Sequence, residues 1–264
     1  MTHPQPQLTL CELDETGLPD LESYSPFCLK VHRALLVHGL RYTSRRGSPR
    51  DFRNLNRAGQ VPILLIDGQA LPDSTLILAR LEALSVRPLH AGLPPGVVAE
   101  ALLWEDYADT ALNGFVVAAR WADPANWPAV KDAYFHKMPA LIRAIVPGLL
   151  RSKVRKALWA RDVTRHGLDA AWARLEVILD QLERRAPVEG FWLGPTLTAA
   201  DLALFGQLHS LRTPLTPMQG AMVDRRRRLA AYLDRVHRAT RRPADARLTP
   251  WPPTNRAVLQ PALS

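Results

Sequence analysis

A buried strand that turns back through an Asp-Gly hairpin into a capped helix constrains the fold of this chain most strongly. Residues 61–66, VPILLI, form an apolar run with three β-branched members, which is typical of a buried strand. Asp67-Gly68 is a strong two-residue hairpin signal, and residues 69–71 suit a short return strand. Pro72-Asp73-Ser74 then begins a helix. Five residues of this segment recur at the spacing of a helix: Leu76, Ile77, Arg80, Leu81 and Leu84.

Pro62 lies near the start of this strand, where a proline removes a backbone donor from the sheet. Two alternatives fit its position. A cis Val61-Pro62 bond, which costs only about 0.5–1 kcal/mol relative to trans, would turn the Val61 backbone outward to an extended ligand. A trans proline on an edge strand would also fit.

Asp73 and Ser74 stand at a helix N-terminus, where unpaired backbone N–H groups and a partial positive charge favour anions. Ser74 could therefore hold a ligand carboxylate, and Asp73 could take a ligand ammonium group through a charge-assisted bond. An amino-acid head group carries both charges on one carbon. A plain N-cap pair is the alternative explanation of the same two residues.

The composition favours a globular protein in a reducing compartment. The chain has 264 residues, 47% of them hydrophobic, and no segment approaches the roughly 18 apolar residues of a membrane span. We expect no secretory signal at the N-terminus, MTHPQPQL. Cys11 and Cys28 are too few for a disulfide framework, so a cytoplasmic location is the simplest expectation.

Basic residues are concentrated in the second part of the chain, most densely at Arg225–Arg228, and the formal net charge is +9. A nucleic-acid surface is one explanation. A solvated helix face is the interpretation we favour, since no interleaved aromatic residues or known binding module accompany the cluster. Nucleic acid is therefore not an expected partner.

The order of elements indicates two domains. Strand, helix, strand, loop, strand, hairpin strand and helix follow one another in the first 85 residues, which predicts an α/β thioredoxin-like domain of βαβ-ββα order. Helical patterns at residues 97–120, 127–146 (interrupted at Pro139) and 167–185 predict an all-α C-terminal domain. The expected units are residues 1–85, a linker at 86–96, a helical domain at 97–242 and a proline-rich tail at 243–264.

Two helix beginnings are clearly marked. Ser25-Pro26-Phe27-Cys28 combines an N-cap serine with a proline at the first helical position, and Gly39 ends the helix. Thr198-Ala199-Ala200-Asp201 is a capping box in its T-x-x-D form. The helix it opens is apolar nearly all round as far as Leu211, so we expect it to be central to the second domain.

In combination, these segments resemble the glutathione transferase superfamily. The resemblance rests on Ser25-Pro-Phe-Cys28, Gly59-Gln-Val-Pro62, Asp73-Ser74 and Thr198-x-x-Asp201, in this order and at suitable spacing, and covers about residues 7 to 240. Within the superfamily the chain looks most like the failed-axon-connections and metaxin-like branch. Residues 25–31, 119–127 and 159–167 carry that likeness, although His32, Asp162 and Thr164 depart from the branch pattern.

The resemblance implies a glutathione site in the first domain, with glutathione as co-substrate. Val61 would pair its backbone with the cysteinyl part, held by cis-Pro62, while Asp73 and Ser74 would hold the γ-glutamyl head. Gln60 would reach toward the remaining part of the tripeptide. Ser25 occupies the position of the family's thiol-activating residue, and a hydroxyl beside a helix N-terminus favours the reactive thiolate.

Tyr24 and Cys28 are alternative activators. Cys28 lies one turn into the helix, and because Ser25 stands where a C-x-x-C oxidoreductase has its attacking cysteine, a buried and inert Cys28 is the better expectation. A small electrophile would bind between the domains. Five residues could form the walls of that cleft, although we favour positions in the core for them: Trp104, Tyr107, Phe115, Arg120 and Trp121.

Two functions follow from the resemblance. The first is a soluble glutathione S-transferase-like enzyme that uses the thiol in a conjugation, isomerisation or reductive step, and works as a homodimer. The second is a non-catalytic binding or assembly protein of the metaxin type, because a fold does not imply a function. Metal ligands at recognisable spacing are not found in the sequence, and none are predicted.

Overall fold

The computed structural model describes residues 6–18 and 21–241, and its first part is a four-stranded mixed sheet. The strands are β1 (Leu8–Glu12), β2 (Thr43–Arg46), β3 (Ile63–Ile66) and β4 (Gln69–Pro72), in the spatial order β2-β1-β3-β4. Strands β1 and β2 are parallel, and the other two pairs are antiparallel. The tail predicted at residues 243–264 lies outside the described residues.

The hairpin between β3 and β4 forms as its sequence predicts. Ile66 pairs with Gln69, so only Asp67 and Gly68 lie in the loop. Their φ angles are +50° and +86°, and positive values at both central residues give the turn whose twist matches that of the strands.

Two helices cover one face of the sheet: α1 (Pro26–Val37) and α2 (Ser74–Leu84). On α2 the buried residues are Ser74, Ile77, Leu78 and Leu81. Among the apolar residues whose spacing predicted this helix, Ile77 and Leu81 are buried, Leu84 is partly buried and Leu76 is 56% exposed. Leu78 is buried in one core cluster with residues of α1 and of the sheet.

The rest of the described chain is helical, which confirms the predicted fold class. The helices are α3 (Pro95–Tyr107), α4 (Asn113–Val117), α5 (Trp127–Phe135), α6 (Ala140–Ala160), α7 (Leu168–Arg185), α8 (Ala199–Leu211), α9 (Pro217–Asp224) and α10 (Arg227–Thr240). Two π-helical turns, Ala108–Leu112 and Ala118–Ala122, join α3 and α4 and extend α4.

The helical pattern predicted to end at Val146 is too short. Helix α6 continues through Pro147 to Ala160. Pro147 is buried, and most of the residues that follow it are exposed. The second half of α6 therefore lacks the regular buried stripe by which a helix is recognised in sequence.

Helix α8 is the centre of the helical region, as predicted. Every residue of α8 except His209 is buried, and the helix packs against α1, α3 and α10. A Cβ at Gly206 would lie 2.9 Å from the Pro26 carbonyl oxygen. The absence of a side chain at Gly206 therefore lets α8 approach the first turn of α1 closely.

The predicted capping box at the start of α8 is present and belongs to a larger buried network. Oδ2 of Asp201 accepts hydrogen bonds from the Thr198 N–H (2.8 Å) and hydroxyl (2.9 Å). Oδ1 accepts from the Trp192 N–H and the Tyr232 hydroxyl, both at 2.7 Å. One carboxylate thus joins the α8 terminus, the loop before it and α10.

We expect Asp201→Ala to lower the free energy of unfolding by at least about 3 kcal/mol, because it leaves several buried donors without an acceptor. Denaturant unfolding followed by circular dichroism measures the change. Asp169→Ala is the matched control: Asp169 is exposed in the first turn of α7, so its loss should cost less than about 1 kcal/mol. Equal effects of the two substitutions would contradict the structural role of Asp201.

Candidate functional site

A cavity of about 870 Å³ lies between the β3–β4 side of the sheet and the helical segment that runs from α3 through the first π-helical turn into α4. Its volume is within the range of small-molecule sites, about 300–1,000 Å³. Five of the six residues predicted for the site line it: Gln60, Val61, Pro62, Asp73 and Ser74. Further wall residues from the first region include Leu13, Phe27, Pro49, Asn56 and Thr75, and the second region contributes Asp106, Asp109, Thr110, Asn113 and Arg161.

The Val61-Pro62 bond is cis, which is the first of the two alternatives that the sequence left open. The loop before it is fixed by Asn56, whose amide donates to the Gln60 carbonyl (3.1 Å) and whose side-chain oxygen accepts from the Ala58 N–H (3.1 Å). Gly59 has a φ of +62°, and a Cβ there would lie 2.6 Å from the Pro49 carbonyl oxygen. This position therefore requires glycine, and the loop holds Gln60 and Val61 at the cavity wall.

The N-terminus of α2 opens on the same cavity. Asp73 is the N-cap, with a φ of +80°, and its Oδ1 accepts from the backbone N–H groups of Thr75 (2.9 Å) and Leu76 (3.1 Å). No partner is recorded for Oδ2 among the residues that the structure describes. Ser74 is buried and lines the cavity. One carboxylate oxygen, one hydroxyl and the positive end of a helix therefore meet at this wall.

Ser25 is the predicted site residue that is not part of the cavity wall. It is partly exposed and caps α1, where its Oγ accepts a hydrogen bond from the Cys28 N–H (3.3 Å). Phe27, two residues further on, does line the cavity. The Ser25 hydroxyl also interacts with the buried Cys28 thiol, and it lies two residues before Phe27, which forms one end of the cavity.

The two alternative activators are both enclosed. Tyr24 is buried, its hydroxyl donates to the Thr16 carbonyl (2.8 Å), its ring stacks on Tyr134, and burial raises its pKa. Cys28 is completely buried, and loss of hydration raises the pKa of its thiol well above the usual value. Of the three residues, only Ser25 is partly exposed, so it remains the candidate.

A buried ion network behind the cavity was missed by the sequence analysis. Lys30 is 1% exposed, and its ammonium group binds Glu105 at 2.8 Å and also Asp109. Burial raises the pKa of Asp109, an effect that the Lys30 charge opposes. Thr75 donates to Glu105 (3.0 Å) and Gln207 donates to Asp109 (3.2 Å). The network therefore links α1, α2, α3 and α8 around one wall of the cavity.

None of the five residues considered as a cleft wall or as core lines the cavity, and Trp121 packs against the rings of Trp127, Tyr134 and Phe135. Trp104, Tyr107 and Phe115 pack in the hydrophobic core of the helical region. Arg120 is buried and donates to the carbonyl oxygens of Tyr24 and Ser210. It therefore holds the backbone immediately before Ser25 and does not face the cavity.

The arginine cluster is largely engaged with α7. Arg226 is buried and binds Glu176 and Asp180, and Arg225 binds Glu176. Arg227 is exposed. Over residues 6–18 and 21–241, no group of acidic, histidine or cysteine side chains could hold a metal ion. No helix in that part of the chain is long and apolar enough to cross a bilayer.

We expect neither cysteine to react with a thiol reagent in the native protein. Both are completely buried, and loss of hydration raises the pKa of Cys11 to about 11, so the thiolate that reacts is scarce at neutral pH. Ellman's reagent at pH 7.5 should detect less than one thiol in the folded protein and two in denaturant. A rapidly reacting thiol in the folded state would contradict the burial of at least one of the two cysteines.

Comparisons with known proteins agree with this architecture. Residues 23–88 match the family model of the glutathione S-transferase N-terminal domain, and residues 165–235 match that of the C-terminal domain. Failed axon connections from Drosophila melanogaster is 25% identical over 238 residues, which cover 83% of this chain and 54% of that protein. The chain therefore spans about half the length of this curated relative.

Three solved structures illustrate the similarity of fold. The β-etherase LigF from Sphingobium sp. strain SYK-6 has a TM-score of 0.62 at 23% identity, covering 87% of this chain and 94% of LigF. Rice OsGSTU1, solved in complex with glutathione, has a TM-score of 0.54 at 20% identity, covering 89% and 88% of the two chains. A family member from Pseudomonas fluorescens Pf-5 with two glutathione molecules bound has a TM-score of 0.52 at 17% identity, covering 89% and 92%. At these identities the likeness establishes the fold alone.

Proposed function

The chain belongs to the glutathione transferase superfamily, and we propose that it binds glutathione in the cavity beside β3 and activates its thiol for attack on a small electrophile. The observation that carries this proposal is the convergence of Gln60, Val61, Pro62, Asp73 and Ser74 on one cavity. The match to Failed axon connections agrees with the branch expected from the sequence.

The γ-glutamyl head of glutathione suits the wall at the N-terminus of α2. Its α-carboxylate would be attracted by the positive end of the helix and the Ser74 hydroxyl. Its ammonium group would lie near the carboxylate of Asp73, whose Oδ2 is not used in capping. A ligand that carries both charges on one carbon satisfies both features together, which neither a simple anion nor a simple cation would do.

The remaining parts of the tripeptide would follow the loop before β3. The Val61 main chain would pair with the cysteinyl residue, and Gln60 would lie beside the glycyl end. Both residues are held by the Asn56 and Gly59 geometry that fixes the loop. A preformed wall lowers the ordering cost of binding.

Ser25 would act on the sulfur. Its hydroxyl accepts a hydrogen bond from the Cys28 N–H, and its proton would turn from the Cys28 thiol to the thiolate of the bound ligand. The N-terminus of α1 adds a partial positive charge on the same side. Both effects stabilise the thiolate relative to the thiol, and each unit by which they lower its pKa corresponds to about 1.36 kcal/mol.

Asp73→Asn should weaken glutathione binding about tenfold or more, since it removes the charge that would pair with the ammonium group. Asparagine is as good an N-cap as aspartate and tolerates positive φ, so helix α2 should remain intact. Isothermal titration calorimetry with glutathione measures the change. Asp67→Asn is the matched control, because Asp67 also has positive φ and accepts a backbone N–H (from Gln7, at 2.8 Å) but does not line the cavity. Equal affinity of wild type and Asp73→Asn would contradict the assignment.

Ser25→Ala should lower kcat/KM for an aromatic chloro-nitro electrophile by about 10- to 1,000-fold, as the loss of one hydrogen-bond donor to a developing anion does elsewhere. The pKa in the pH–rate profile should rise, because the bound thiol would ionise less readily. Ser25→Thr retains both the hydroxyl and the N-cap and should retain most of the activity. If Ser25→Ala behaved as the wild type in both respects, Ser25 would not be the activator.

A non-catalytic binding module is the second candidate function. The position of Ser25 outside the cavity wall favours it, since a bound thiol would have to lie near Phe27 to meet the hydroxyl. Glutathione affinity that depends on Asp73, without thiol activation or turnover, would identify this function. In either case we propose a homodimer in a reducing cytoplasm, where the two unpaired and buried cysteines would be stable.

A further inference from the structure

Helix α6 carries an exposed apolar stripe, formed by Leu141, Ile142, Ile145 and Leu149. Leu141 is 85% exposed, Leu149 68% and Ile145 64%. At 100° per residue these four side chains fall within about 100° of the helix circumference, so they form one continuous face. An apolar face of this kind on a surface helix indicates an interaction site.

All the charged side chains of α6 are basic. They are Arg143, Arg151, Lys153, Arg155 and Lys156, and the helix contains no aspartate or glutamate. Arg143 binds Asp132, and Arg151 donates to carbonyl oxygens of residues 121–123. Within residues 6–18 and 21–241, no ion-pair partner is recorded for the other three, and all three are exposed.

The basic half of the helix also borders a second cavity, of about 460 Å³. Arg155, Lys156 and Trp159 line it together with Thr164 and the first residues of α7. Trp159 is 58% exposed. Viewed along the axis of α6, Lys156 and Trp159 lie on the same side as the apolar stripe, rotated by about 60° and 0° from Leu141.

We propose that this face of α6 docks on the surface of an anionic lipid bilayer. The stripe would enter the boundary between headgroups and acyl chains, while Lys153, Arg155 and Lys156 would contact lipid phosphates and Trp159 would lie at headgroup level. Such a helix lies in the plane of the interface and does not span the bilayer. The proposal is independent of the glutathione site, which lies in a separate cavity.

Charge complementarity favours an anionic surface over a second copy of this chain. In a two-fold contact between α6 faces, the basic side chains of one copy would approach those of the other, with no acidic residue on the helix to offset them. The stripe is also short, at about 12 Å from Leu141 to Leu149. It is too small alone for a stable protein interface, which buries about 800 Å² on each partner, but it suffices to insert a few side chains into a bilayer.

Co-sedimentation of the full-length protein with vesicles tests the proposal. At about 0.1 M salt the protein should bind vesicles of phosphatidylcholine with 30% phosphatidylserine, and bind pure phosphatidylcholine far more weakly, because the basic charges act within a Debye length. Lys153→Gln with Lys156→Gln should weaken binding about 30-fold. Ile145→Ser with Leu149→Ser should weaken it at least about tenfold.

Two matched controls separate the α6 face from general effects of charge and hydrophobicity. Arg227→Gln with Arg238→Gln removes the same charge from exposed positions on α10, and Leu103→Ser with Val177→Ser removes exposed apolar side chains from α3 and α7. Both controls should bind vesicles as the wild type does. All eight positions are exposed or partly exposed, so circular dichroism should show folded variants.

Three outcomes would overturn the proposal. One is a lack of preference for anionic vesicles in the wild type, and another is a control pair that weakens binding as much as the α6 pairs do. The third is a change from dimer to monomer in Ile145→Ser with Leu149→Ser, without vesicle binding by the wild type. That result would make the stripe an interface between copies. Glutathione affinity should be the same in every variant, so a failure here does not affect the proposed function.

Discussion

The buried Lys30 ammonium group fixes the relation between the two regions of this protein. An ammonium group that is 1% exposed is stable only with compensating charge, and the loss of a partner from such a pair costs several kcal/mol. Both of its carboxylate partners, Glu105 and Asp109, come from the helical region. A sliding of the sheet region against the helical region would leave this buried ammonium group without its carboxylate partners, so the ion network opposes such a movement at the cavity wall.

The helical region also supports site residues whose sequence motifs lie entirely in the first region. Arg120 holds the backbone carbonyl of Tyr24, and the close approach of Gly206 to Pro26 sets the first turn of α1. Thr75, in the first turn of α2, donates to Glu105. The two helix N-termini proposed to face glutathione are thus both supported from the second region. The positions of these short motifs therefore depend on a separate helix, α8, which is buried except at His209 and packs against α1.

Local rules predicted those parts of the structure that local interactions determine. The Asp67-Gly68 hairpin, the Ser25 cap and the Thr198–Asp201 capping box depend on backbone conformation and on bonds within a few residues, and all three are present. Local signals also singled out Val61-Pro62 and Asp73-Ser74, whereas Gln60 came only from the family resemblance; all five residues line the cavity. The roles of those residues in binding stay predictions.

Sequence patterns failed where long-range packing decides. Lys30 was not recognised because a lysine among apolar residues is normally expected to reach solvent, and its partners lie 75 and 79 positions away. The same reason explains the polar cavity wall at Asp106, Asp109 and Asn113, since nothing local distinguishes these side chains from an exposed helix face. Which side of α2 is buried, and how far α6 extends, likewise depend on the neighbours that cover each helix.

A hydroxyl group can accept one hydrogen bond and donate another, and this property determines what Ser25 can do. A cysteine at a helix N-terminus would itself become the nucleophile and could form a mixed disulfide. A serine cannot, and the nearby Cys28 is completely buried with its thiol pKa raised by loss of hydration. Under the proposed function, the nucleophile is therefore the sulfur of the bound ligand and not a thiol of the protein. The proposed role of α1 is consequently to stabilise a thiolate brought by glutathione, and thiol–disulfide exchange with the protein's own cysteines is not available to it.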